Sequence, residues 1–215
     1  MSEQDQNEVE FVKGNANLLD PNKDPLSMTE EELTKVLMDP SFTQLFTIEK
    51  VVAFLQGKMT YAELVGMTAE EAYAIADVAF DLFEQGKYDD AKAIVEALVI
   101  ANPYDATFHN LLASIYGKKE MWEEAYEEYS ITLELDKENI GAHVNRAEIL
   151  LQHGEMELAL EDLTAAAKLD PNSEDPYGVR ARALATATLA IIEELLKAQE
   201  AGEGGAPAAS DAPKE

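Results

Sequence analysis

Small and apolar residues recur along the middle of this chain at a fixed interval. Each series steps by the same distance in sequence and marks the same place in three consecutive units. Alanine occupies two of these places, a glycine-or-turn site separates them, and an apolar or aromatic residue follows. The series are Ala79, Ala113 and Ala147; Gly86, Glu120 and Gly154; Ala91, Ala125 and Ala159; and Val95, Tyr129 and Leu163.

This pattern predicts an all-α fold. Each unit is expected to form two amphipathic helices joined by a tight turn, in which alanine lets the helices approach closely. The interval of about 34 residues is the period of the tetratricopeptide repeat. Pro103 and Pro171 close the first and third units because proline cannot continue a helix from inside. We therefore predict a tetratricopeptide-repeat superhelix of three helix pairs, with N-terminal helices and a C-terminal capping helix.

The rest of the chain divides by composition around the repeats. We expect a disordered N-terminal segment over 1–27, an N-terminal helical extension over 28–70, the three repeats over 71–173, a capping helix over 174–200 and a disordered tail over 201–215. Within the extension, helices are expected near 30–38, 44–56 and 61–66. Helix starts are marked by threonines followed three residues later by glutamate, the spacing of a capping box. These are Thr29 and Glu32, Thr60 and Glu63, and, directly before the first repeat helix near Ala69, Thr68 and Glu71.

The middle helix of the extension is too apolar to stand exposed. It is expected to pack on the repeats or on a second subunit, and we assign it to dimerisation of a homodimer. The residues assigned to this contact are Leu45, Phe46, Val51, Phe54 and Leu55.

The charge of the chain narrows the class of partner. Lys and Arg number 16 against 43 Asp and Glu, a formal net charge of -27. Such a surface repels nucleic-acid phosphates and anionic lipids, so neither nucleic-acid binding nor membrane insertion is expected. The most apolar C-terminal stretch, 183–196, is interrupted by Glu193 and Glu194 and is too short to span a bilayer. The acidic N-terminus predicts no signal peptide. The charge is compatible with a basic partner and with an apolar partner, and it does not choose between them.

No catalytic or metal-binding constellation is found in the sequence. The chain has no cysteine, and no phosphate loop or zinc spacing is found. His109 and His143 are equivalent repeat positions, so we expect them to lie one repeat apart and to serve packing rather than metal binding. Glutamate runs such as Glu127-Glu128 are expected to be solvated helix faces. The sequence therefore predicts no enzyme, no cofactor and no metal.

Beyond the generic repeat, the chain resembles the tetratricopeptide chaperones that hold translocator proteins in bacterial type III secretion. Three stretches carry the resemblance: Gly57-Lys58-Met59-Thr60 leading into 79–91; Leu112-Ala113-Ser114-Ile115-Tyr116 with Ala125 and Tyr129; and Ala147-Glu148-Ile149-Leu150-Leu151-Gln152-His153-Gly154-Glu155. The resemblance implies a cytoplasmic, often dimeric chaperone in a bacterium. Its groove is expected to take an extended segment of a secreted, hydrophobic translocator-like client and to keep that client soluble.

One face of each first repeat helix is expected to line this groove. Residues three and four apart share a face of a helix, and the resemblance places peptide binding on two members of this face, Phe80 and Phe83. The peptide-binding residues predicted from this face are Tyr73, Ala76, Phe80, Phe83, Asn110, Ser114 and Lys118. Asn110 is expected to bind peptide carbonyls.

Three alternatives to this assignment remain. The aromatic stripe is equally typical of a helix core, and the polar residues of the second unit are also typical of a solvated face. A general tetratricopeptide scaffold that is not tied to secretion is the alternative function. A clamp for acidic C-termini is not expected, because its cationic and amide residues are replaced by Ala76 and Phe80 in the first unit.

Overall fold

The computed structural model describes residues 46–203, together with Thr29, Glu31, Thr34 and Lys35. The last three are helical, and Lys35 pairs with Glu31 at 2.9 Å. The rest of the predicted helix 30–38, the segment 1–27 and the tail beyond residue 203 lie outside the described residues. The chain divides into two compact units, Met1–Ala74 with Ile100–Asn102, and Ile75–Val99 with Pro103–Glu215.

The described part of the first unit contains α1 (Ile48–Leu55), α2 (Tyr61–Leu64) and the start of α3 (Ala69–Glu84). The helix predicted from residue 44 begins at Ile48, because the extended Thr47 caps it and accepts a hydrogen bond from the Lys50 amide. Two predicted capping boxes are confirmed. In α2 the Thr60 amide donates to Glu63 at 2.7 Å while Thr60 Oγ1 accepts from the Glu63 amide. Thr68 and Glu71 make the same pair of bonds before α3.

The second unit contains the rest of α3 and six further helices. They are α4 (Tyr88–Ala101), whose last two residues belong to the first unit, α5 (Ala106–Lys118), α6 (Trp122–Leu135), α7 (Ile140–Gln152), α8 (Met156–Leu169) and α9 (Pro176–Glu203). Neighbours in sequence pack together from α5 to α9, and α7 also contacts α9. No strand occurs among the residues that the structure describes. The predicted all-α repeat fold is confirmed.

The residues of the repeat series form the core. All six alanines of the two series are completely buried, and Val95, Tyr129 and Leu163 are at most 4% exposed. At the turn between the paired helices, Gly86 and Gly154 have left-handed backbone with φ of 76° and 82°. Glu120 takes the same conformation with φ of 59°, although only glycine adopts it without steric cost. The turn geometry is therefore common to all three units.

The small-residue series continues into α9. Ala181 stands one repeat interval after Ala147, is completely buried, and joins the cluster formed by α7 and α8 around Leu163. The helix that we expected only to cap the array therefore packs as the first helix of a further unit would. It begins at Pro176 and runs to Glu203.

Candidate functional site

Phe80 presents an exposed aromatic ring on the predicted groove face of α3. Phe80 is 49% exposed, and its ring centroid lies 6.1 Å from that of the half-buried Phe83. Phe83 in turn lies 5.7 Å from the Tyr88 ring. Ala76 is buried, so its methyl group belongs to the core under this face. Tyr73 is 43% exposed and belongs to the first of the two compact units, Met1–Ala74 with Ile100–Asn102. The structure thus leaves Phe80 available to an apolar partner and supports it with Phe83, which itself packs against Tyr88.

The corresponding face of α5 is polar and tied to its neighbours. Ser114 Oγ donates to the Asn110 carbonyl at 2.9 Å and lies 3.2 Å from Tyr129 Oη, which accepts from Asn145 Nδ2 at 3.1 Å. Because the Ser114 hydroxyl proton is already donated to the carbonyl, Tyr129 must donate to Ser114. This directed chain of hydrogen bonds links α5, α6 and α7. Lys118 is exposed in the last turn of α5, where the helix dipole favours a cation.

The face of α7 is covered by α9. Val144 is completely buried, and the Tyr177 ring lies against Gly141. Arg180 pairs with Glu148 at 2.6 Å. Burial raises the pKa of Glu148, and the Arg180 charge offsets part of that effect. The face of α7 is therefore occupied by α9, whereas Phe80 on the corresponding face of α3 stays exposed.

The two repeat histidines form equivalent hydrogen-bonded contacts, one repeat apart. His109 Nδ1 lies 2.6 Å from Glu128, and its Nε2 donates to the Pro103 carbonyl at 3.0 Å. Its hydrogen bond with Glu128 raises the pKa of His109, although burial acts in the opposite direction. The prediction that Glu128 belongs to a solvated face was wrong, because this carboxylate is largely buried against the imidazole.

His143 repeats the arrangement one unit later. Its Nδ1 lies 2.8 Å from Asp162, and its Nε2 lies 3.2 Å from the Lys137 carbonyl. Arg146 adds two hydrogen bonds of 2.8 Å to the same carboxylate. Burial acts to raise the pKa of Asp162, but hydrogen bonds from His143 and Arg146 outweigh it and lower that pKa. Stepping the acidic partners by the same repeat interval as the histidines would have found both ties.

The residues assigned to dimerisation lie on or beside α1. Phe54 and Leu55 are 37% and 76% exposed, whereas Phe46 and Val51 are half-buried. The Phe54 ring meets Tyr61 edge-on at 6.4 Å. Leu45 lies outside the described residues. A large part of the apolar surface of α1 thus faces solvent in the single chain, and its dimer role stays a prediction.

Within the described ranges, no group of three or more His, Asp or Glu side chains is arranged to hold a metal ion. In the same part of the chain, none of the helices has the length and apolar character needed to cross a membrane.

Comparisons with known proteins agree with this architecture. The family model for the tetratricopeptide repeat matches residues 79–139 and 117–174. Low calcium response locus protein H of Yersinia pestis is 29% identical over 117 residues, covering 54% of this chain and 70% of the relative.

Two solved structures are similar over most of their own length. The type III secretion translocator chaperone SycD of Yersinia enterocolitica has a TM-score of 0.55 and 26% identity, covering 60% of this chain and 97% of SycD. PcrH of Pseudomonas aeruginosa, solved with the chaperone-binding region of PopD, has a TM-score of 0.55 and 25% identity, covering 58% of this chain and 96% of PcrH. The chain therefore has a tetratricopeptide-repeat fold and is similar to the translocator chaperones of type III secretion.

Proposed function

We propose that this protein is a cytoplasmic chaperone which holds an extended segment of a secreted translocator in the groove of its repeats. The client is hydrophobic, and the chaperone keeps it soluble and ready for export. The protein acts as a homodimer and performs no catalysis.

The observation that carries this proposal is the exposed ring of Phe80. An aromatic side chain that is half solvent-exposed and packs against Phe83, which in turn packs against Tyr88, offers a preformed apolar contact to an extended peptide. Ala76 lies one turn before Phe80 and is buried, so no larger side chain at that position covers the Phe80 ring. Tyr73, Phe83, Asn110, Ser114 and Lys118 are the further residues that we assign to the groove.

The relatives support the client class. PcrH has been solved with the chaperone-binding regions of two translocators, PopD and PopB. A net charge of -27 suits this task, because mutual repulsion between chaperones keeps a complex with an apolar client in solution.

The dimer rests on α1. Ile48 and Leu55 lie seven residues apart on one face of this helix and are 79% and 76% exposed. An apolar stripe of this kind is buried when two copies associate.

The test is co-purification from the native host. The wild-type chain and a Phe80→Asp/Phe83→Asp variant are each captured, and the bound proteins are identified by mass spectrometry. We expect a long translocator-like protein with apolar segments to accompany the wild-type chain and to be absent from the variant.

A Leu158→Asp variant is the matched control, since Leu158 is 46% exposed on the second helix of the third unit. It is expected to retain the client. If the captured proteins are folded soluble proteins, bound equally by all three chains, the protein is a general scaffold and the proposal fails.

A further inference from the structure

Asn110 carries a buried polar atom that the fold does not use. Its Oδ1 is inaccessible to solvent and has no hydrogen-bond partner in the part of the chain that the structure describes. Ser114 Oγ, one turn along α5, donates to the main-chain carbonyl of Asn110 and not to its side chain. A buried acceptor without a donor lowers the stability of a folded protein.

The equivalent positions in the other units show that folding needs no polar side chain here. Stepping by the repeat interval gives Ala76, Val144 and Gly178, all of them buried. Valine and alanine therefore fit this place in the repeat without an unsatisfied group. The side-chain amide of Asn110 therefore lowers the stability of the folded protein, whereas the equivalent residues do not.

The geometry of the amide gives it a use outside the fold. An asparagine amide is planar and carries its Nδ2 donors on the side away from Oδ1. Asn110 is only half-buried although its Oδ1 is fully buried, so the Nδ2 side is the one turned toward the α5 groove face. That face carries no charged side chain until Lys118, at the end of the helix.

We propose that Asn110 positions the bound client segment by donating from Nδ2 to a main-chain carbonyl of that segment. This inference rests on the proposed peptide-binding function and adds its chemistry. The first repeat contacts apolar side chains of the client through Phe80, and the second repeat binds the main chain of the extended client through Asn110. Asn110 thus lowers the stability of the free chaperone and raises its affinity for an extended client.

The first experiment measures stability and affinity on the same variants of the full chain. Asn110→Val copies the side chain of Val144 and removes the orphaned acceptor. We expect its melting temperature to rise by about 2–6 °C. We expect its dissociation constant for a synthetic client peptide to weaken about fivefold. The probe is the chaperone-binding region of PopD, or the tightest binder selected from a displayed peptide library.

Asn145→Val is the matched control on the neighbouring helix. Its amide already donates to Tyr129 at 3.1 Å, so its loss should lower the melting temperature. The opposite signs of the two temperature shifts separate an amide that serves the fold from one that does not.

The second experiment locates the hydrogen bond. Each backbone amide of the probe is replaced in turn by an ester, whose carbonyl is a weaker acceptor. We expect one ester position to weaken binding to the wild-type chain about threefold and to have no effect on binding to Asn110→Val.

The outcomes separate this inference from the function on which it rests. If wild-type binding is lost in Phe80→Asp/Phe83→Asp but Asn110→Val binds as tightly as wild type, the role of Asn110 is overturned and the groove stands. An ester penalty that is identical in the wild-type and Asn110→Val chains overturns it as well. If the wild-type chain binds no probe, the proposed function fails first.

Discussion

Truncation of Phe80 gives the most direct quantitative prediction. The side chain of a phenylalanine offers roughly 200 Å² of accessible surface, and Phe80 is 49% exposed. A client that covers the exposed part therefore removes roughly 100 Å² from water, which is worth about 2.5 kcal/mol at about 25 cal/mol per Å². Phe80→Ala should accordingly weaken client binding by about 60-fold.

The assay is fluorescence anisotropy with a labelled client segment, at a temperature where every variant is folded by circular dichroism. Leu158→Ala is the control, because Leu158 is similarly exposed at 46% but lies on the second helix of its unit. Both truncations remove a comparable half-buried side chain from the fold, so both should lower stability. Equal affinity losses in the two variants, or no loss in Phe80→Ala, would refute the assignment of Phe80 to the groove.

Three further predictions concern stability and assembly. The pKa of His109 is raised above its ordinary value of 6.5, so its stabilising effect is complete below that value and is lost as the pH rises through the raised pKa. The difference in unfolding free energy between wild type and His109→Gln, measured in urea, should therefore shrink with rising pH, and a constant difference would contradict the tie to Glu128. Glu120→Gly relieves the left-handed backbone at φ of 59° and should stabilise the protein by about 0.5–1 kcal/mol in chemical denaturation, whereas Glu123→Gly inside α6 should destabilise it by about 1 kcal/mol. No gain at Glu120 would show that the turn is unstrained. Deletion of residues 1–56 should yield a monomer by light scattering, and an unchanged dimer would exclude α1 from the interface.

The repeat fold was predictable because its constraint is local and periodic. Close helix packing requires a small side chain at one place in every unit, and the alanines at 79, 113 and 147 are all fully buried as a result. The same step extended to Ala181 places α9 in the array as well, because this alanine is completely buried against α7 and α8. Capping boxes at Thr60 and Thr68 were predictable for a similar reason, since each is formed by residues three positions apart.

The details of the groove depended on contacts between helices and were not predictable from one helix at a time. The face of α7 follows the same spacing as that of α3, yet Tyr177 and Arg180 of α9 cover it. Ala76 shares a helical face with Phe80 but is buried. Glu128 stands in an acidic run typical of a solvated surface, and only the approach of His109 from α5 makes it part of the interior.

Site-specific photo-crosslinking of the client would show directly whether Phe80 lies in the client-binding groove. A photo-reactive amino acid is placed at Phe80 in one sample and at Leu158 in another, in the native host, and the crosslinked products are mapped by mass spectrometry. We predict that position 80 crosslinks to one extended segment of a translocator-like client and that position 158 does not. Crosslinks to the client from position 158, with none from position 80, would contradict it.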